Sequence, residues 1–145
     1  MKLEDQLCSI ELAIKLRDIG IKQEGLCYYI KVLEKYMINE KGIRSHEEYK
    51  WKIGHPNGYE ESFDHCCAFT ASEVGELLPD KLPCKSATAD EFNYISQKGN
   101  GMYGVAYFNG RYSNPQFTDS NEANARALML IHLIENDLLK LEKPE

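Results

Sequence analysis

The 145-residue chain has no long apolar run, no Cys-x-x-Cys pair and no surplus of positive charge. Each absence removes a class of function. The longest apolar stretch, "ALMLIHLI" near the C-terminus, is far too short to cross a bilayer. The N-terminus, "MKLEDQLCSIELAIKLRDIG", carries charges throughout and lacks the apolar core and small-residue cleavage site of a signal peptide. A cytoplasmic protein is expected. With 17 basic against 23 acidic residues the formal charge is −6. That argues against direct nucleic-acid binding, which needs a cationic surface to displace counterions from phosphates. The five cysteines are odd in number and irregularly spaced, so neither a zinc knuckle nor a redox dithiol is indicated, and reduced thiols are expected. There is no Gly-x-Ser-x-Gly elbow. "GNGMYGV" has closely spaced glycines, but no helix follows to complete a phosphate cradle.

What is present reads as one globular α+β domain spanning 1–145: 43% of residues are hydrophobic and 28% charged. Ser9 is placed to cap a helix over about 9–19, with Leu12, Ala13, Leu16 and Ile19 at helical spacing and Gly20 as its stop. "GLCYYIKVLEKYMI" fits either period, and its β-branched and aromatic residues favour a strand. Tyr49, Trp51 and Ile53 alternate with lysines as a half-buried strand. "HPNG" (55–58) offers a turn into a return strand ending near Cys66, which would complete a hairpin. Thr70 and Glu73 form a capping box flanked by Phe69 and Val74, and Pro79 keeps that helix short. "PDKLPCKSATAD" reads as a connecting loop. Two Asn-Gly turns, at 100–101 and 109–110, then mark an antiparallel meander with Tyr103, Val105 and Tyr107 on one strand face. A long final helix follows, capped by Asp119 with Glu122 and striped by Ala123, Ala127, Leu130, Ile131, Ile134 and Leu138.

That order predicts an antiparallel sheet covered by N- and C-terminal helices, sandwich-like, with one short additional helix. The last helix is apolar over more than one narrow stripe. Either another element or a second copy of the chain must cover its extra face, which Met129 and Leu133 mark.

The chemistry concentrates at "FDHCCAFTASEVGELLP" (63–79). His65 and Cys67 are the residues a small cysteine-dependent enzyme would use, because the helix opening at Thr70 could favour a thiolate and His65 could act as base. If 63–67 ends a strand, however, Cys66 and Cys67 point to opposite faces, one into the core and one towards the surface, and make no convergent pair. His46, His55 and His65 have no metal-motif spacing, so no metal and no cofactor are expected. Fourteen aromatics besides Trp51, nine of them tyrosine, favour binding over catalysis. Tyr49, Trp51, Tyr103 and Tyr107 are the candidates for an exposed aromatic surface facing a protein partner. An acidic inhibitor of a nucleic-acid-binding protein is a further reading.

"LCSIELAIKLRDIGIKQEGL" (7–26), "FTASEVGELLPDKL" (69–82) and "NEANARALMLIHLIENDLL" (121–139) together resemble a family of small uncharacterised proteins of bacteriophages, prophages and bacterial mobile elements. The shared pattern runs Cys-Ser-x-Glu-Leu-Ala, Gly-x-Lys-Gln-Glu, Thr-x-x-Glu-x-Gly-Glu-x-Leu-Pro and an Ala-x-Ala-Arg-Ala helix. The stretch from about Ile38 to Glu60 is longer and more polar than the family pattern. The resemblance implies a bacterial cytoplasm and a phage-linked accessory role, and it brings no functional residues with it.

Overall fold

The computed structural model describes residues 2–55, 62–82, 92–110 and 113–140. After a 3-10 turn at Leu3–Gln6 come α1 (Ile10–Asp18), β1 (Tyr28–Ile38), β2 (Arg44–Gly54), β3 (Ser62–Cys67) and α2 (Ala71–Leu77). They are followed by β4 (Lys81–Leu82), β5 (Phe92–Gly99), β6 (Met102–Phe108), β7 (Ser113–Asp119) and α3 (Glu122–Glu135). The class is α+β, with the strands divided between two antiparallel sheets. The chain forms two compact units: Met1–Lys22 with Phe69–Glu145, and the segment Gln23–Ala68 between them.

The first unit holds α1, α2 and α3 and the sheet β4-β5-β6-β7. Its helix starts follow from side chains that satisfy the first free amides. Ser9 accepts from the Leu12 amide, and Gly20 at φ 102° ends α1. At α2 the capping box forms in both directions: Glu73 N–H donates to Thr70 Oγ1 at 3.2 Å and Thr70 N–H to Glu73 Oε1 at 3.0 Å. Asn100 and Gly101 both have positive φ, 52° and 76°, as the tight turn between β5 and β6 requires. The Asn109-Gly110 turn is described only up to Gly110. Lys81 and Leu82, read as loop, pair with β5 as β4; the rest of that loop, from 83 to 90, lies outside the described residues.

α3 packs on β6 and β7, and α1 and α2 both pack on α3. The helix is therefore enclosed from several sides, which explains its wide apolar surface: Met129, Leu130 and Leu133 are all fully buried. Cover for the extra face comes from within the chain, and a second copy has nothing to cover there. The cap differs from expectation as well. Asn121 is the N-cap and accepts from the Asn124 amide, while Asp119 accepts from the Asn121 amide. Two residues are thus shared with the N-terminal segment, since Asn121 Nδ2 donates to Leu7 O and Ser9 N–H donates to Asn124 Oδ1. Between α2 and α3, Arg126 donates to Ala71 O and pairs with Glu122, each at 2.8 Å. The guanidinium occupies the space a Cβ on Gly75 would need.

The second unit is a sheet of order β2-β1-β3. β2 and β3 each pair with β1, so the hairpin expected between 49–53 and the Cys66 strand does not form. The turn that matters lies earlier. Asn39 Oδ1 accepts from the amides of Lys41 and Ile43, and Gly42 adopts φ 77°, folding β2 back along β1. β1 takes the central place because it carries the buried pair Ile30 and Val32. Residues 56–58 of the expected His-Pro-Asn-Gly turn lie outside the described residues.

Candidate functional site

β3 carries the cysteine region. Its register sets Cys67 opposite Tyr28, Cys66 opposite Tyr29 and His65 opposite Ile30. Both thiols are fully buried, correcting the expectation that one would lie near the surface. The Cys67 thiol faces the Cys27 carbonyl oxygen at 3.6 Å, and the Cys67 amide donates to Gln23 Oε1 at 2.7 Å. His65 is exposed, with its ring 6.3 Å from that of Tyr28. The same Tyr28 ring meets His55 at 5.4 Å. A thiol with no exposed surface, directed at a backbone carbonyl, is out of reach of a substrate at an exposed imidazole. Among the described residues, no three His, Cys, Asp or Glu side chains gather to hold a metal ion.

The aromatic candidates divide between the two units, and one of them is buried. Tyr107 is fully buried and donates to Pro79 O at 2.6 Å, with its ring 5.5 Å from Tyr94. Burial, reinforced by Tyr94 and Asp80, pushes its phenol well above the ordinary range. Its alternation with Tyr103 and Val105 marked a strand face correctly, but that face is the one beneath the helices: Phe117, in register with Val105, meets His132 of α3. Tyr103 is half-buried on the same strand under the Lys98 ammonium, 5.2 Å from its ring centre. Tyr49 and Trp51 belong to the other unit. There Lys31 lies 5.3 Å from the Tyr49 ring and 6.0 Å from that of Trp51, a cation–π arrangement on one sheet face. The Tyr49 hydroxyl donates to Glu47, and that bond raises its phenol from the ordinary value.

A different feature stands out beside Tyr49. Among the described residues, β3 pairs with β1 only between Tyr28 and Val32, and beyond that β1 and β2 continue as a two-stranded arm. Along the arm the register shifts twice, between Leu33, Lys35 and Met37, and His46 takes a positive φ of 52°. Such irregularities bend and twist a ribbon. Its tip exposes Met37 (62%), Ile38 (64%), Ile43 (59%) and Tyr36 (47%), with the Arg44 guanidinium over the Tyr36 ring at 4.6 Å. The sequence signal was available: "KYMINEKGIR" places apolar residues on both sides of a four-residue Asn-Glu-Lys-Gly turn. Strand propensity says nothing about whether such residues find cover, so the tip was not singled out. No family model, curated protein or solved structure matches the chain.

Proposed function

We propose that this chain is a non-enzymatic interaction module that grips a protein partner through the tip of the β1–β2 arm. The observation carrying the reading is the cluster of Tyr36, Met37, Ile38 and Ile43, large apolar side chains gathered exposed at the end of one hairpin. Exposed apolar clusters rimmed by charge are typical of partner surfaces, and here Glu34, Lys35, Arg44 and Glu48 supply the rim. Tyrosine and methionine add contact area that adapts to a partner. The resemblance of 7–26, 69–82 and 121–139 to phage and mobile-element proteins supports an accessory role in a bacterial cytoplasm. Buried Cys67 and exposed His65 give the cysteine-enzyme alternative no comparable support.

A photo-reactive residue at position 37, activated in bacterial cells, tests the reading. The expected result is a discrete protein adduct that disappears in the Ile38→Lys/Ile43→Lys variant while the unfolding midpoint is unchanged. An adduct that persists in that variant places the partner elsewhere, and no adduct at all sinks the proposal.

A further inference from the structure

The two register shifts in the arm cancel each other. Between the pairs Leu33–Tyr49 and Met37–Ser45 both strands contribute the same number of residues, 33–37 on β1 and 45–49 on β2. Inside that window Lys35 pairs with Glu48, one step out of line. Glu34 is the extra residue on β1 before that pair. On β2 the extra residue falls after it, where His46 stands at φ 52°. If both irregularities closed together, no pair outside residues 34–36 and 46–48 would have to change. We propose that the arm exchanges between this bulged register and a regular one, in which Glu34 faces Glu48, Lys35 faces Glu47 and Tyr36 faces His46, and that the exchange re-aims the apolar tip.

Each register carries a defect that the other lacks. The bulged form holds His46 in the left-handed region, which glycine adopts freely at a bulge and a side chain adopts under strain. The regular form relieves that strain and restores the ladder, but it sets the Glu34 and Glu48 carboxylates directly opposite each other. Like charges so placed destabilise a strand pair, whereas the bulged form sets Glu48 opposite Lys35 instead. Opposed costs of this kind make two packings of one segment close in free energy, the condition for a switch. The lever is mechanical. A bulge bends its strand and raises the local twist, so closing both straightens the ribbon. Met37, Ile38 and Ile43 lie beyond the irregular window and turn with it. A partner that grips the tip in one orientation then selects one register. That last step rests on the tip reading; the exchange itself does not.

Nuclear magnetic resonance of the full chain tests the exchange without any partner. Wild type should show the bulged form, with positive φ at His46, and relaxation dispersion confined to residues 34–36 and 46–48. His46→Gly should hold the bulged form and lower the population of the regular one by about fivefold or more, because glycine removes the strain. His46→Val should do the reverse, since a β-branched residue resists positive φ, and cross-strand proton contacts 34–48 and 36–46 should replace 35–48. Glu48→Gln should raise the regular population by about threefold or more, because it removes the carboxylate repulsion and the attraction to Lys35 together. Absence of exchange in wild type, or a Gln variant with no rise, would overturn the proposal. So would a folded Val variant that keeps the 35–48 pairing. Should the Val substitution fray the arm, the Gly and Gln variants decide between them, and equal populations in both would overturn it. The photo-adduct at position 37 reads the tip separately: loss of the adduct with intact exchange strikes the tip reading alone, and an adduct without exchange strikes only the switch.

Discussion

The two units spend their apolar residues in opposite ways. The helix-bearing unit turns them inward: Leu7, Leu16, Phe69, Val74, Tyr107, Met129, Leu130 and Leu133 are all buried between helices and sheet. Among the described residues of Gln23–Ala68 the buried set shrinks to Ile30, Val32, Cys66, Cys67 and Ala68, while Leu26, Tyr36, Met37, Ile38, Ile43 and Tyr49 are exposed. Among the described residues of the first unit, only Leu3, Leu77 and Met102 are comparably exposed. A sheet of three strands, one of them half as long as the others, has too little area to cover its own side chains. Apolar surface that does not stabilise the fold is then free for recognition. The first unit thus buries most of its large apolar side chains, and the second leaves many of its own exposed, as the proposed interaction role requires.

The sharpest way to break that contrast is to cut into each unit and compare the cost. Leu130→Ala, at the centre of α3, should destabilise the protein by about 2–5 kcal/mol in urea denaturation, the range for a large buried side chain. A loss below about 1 kcal/mol would mean the helices are packed as loosely as the arm.

Tyr107→Phe should cost about 1 kcal/mol at neutral pH through loss of the Pro79 hydrogen bond. It also sharpens the comparison at alkaline pH. The folded phenol is raised above its unfolded value of about 10, so its contribution is complete below that pH and is lost as pH rises beyond it. Stability of the wild type should fall above about pH 10, and the Phe variant should fall less steeply. Equal slopes would mean that Tyr107 ionises as freely in the folded chain as in the unfolded one.

Thr70→Ala should cost about 1 kcal/mol, the usual value of a lost N-cap. An unchanged denaturation midpoint would mean that α2 does not depend on its capping box. The smallest effect belongs to the arm: Ile38→Ala and Ile43→Ala should each shift stability by less than about 0.5 kcal/mol, as exposed positions do. A loss of 2 kcal/mol or more, which is the buried range, would show the tip to be covered in solution.

Local signals decided which of these features the sequence disclosed. Ser9, the Thr70–Glu73 box and Asn100-Gly101 act within a few residues of themselves, and each works as read. Strand partners are set by long-range competition. The choice of β1 as the common partner of β2 and β3 depends on where Ile30 and Val32 become buried, which no local pattern states. The α3 cap was misplaced by two residues because Asp119 and Asn121 are both good caps, and Asn121 alone also reaches the Leu7 carbonyl. Burial misled the site reading in the same way. Tyr107 alternates as a surface strand residue would, yet a helix distant in sequence closes over its face. Cys67 was legible as a strand end, but its complete enclosure was not.

The bond from the Ser9 amide to Asn124, at 2.7 Å, joins residues 115 positions apart, and Asn121 reaches Leu7 over 114. On a ribosome these partners emerge at opposite ends of synthesis. The first unit cannot close until α3 has left the exit tunnel, so α1 must wait with Ala13 and Leu16 uncovered. Gln23–Ala68 faces no such delay, because its described strand pairings all lie within residues 23–68. The inner segment is thus free to take shape while the unit that flanks it is still a nascent chain.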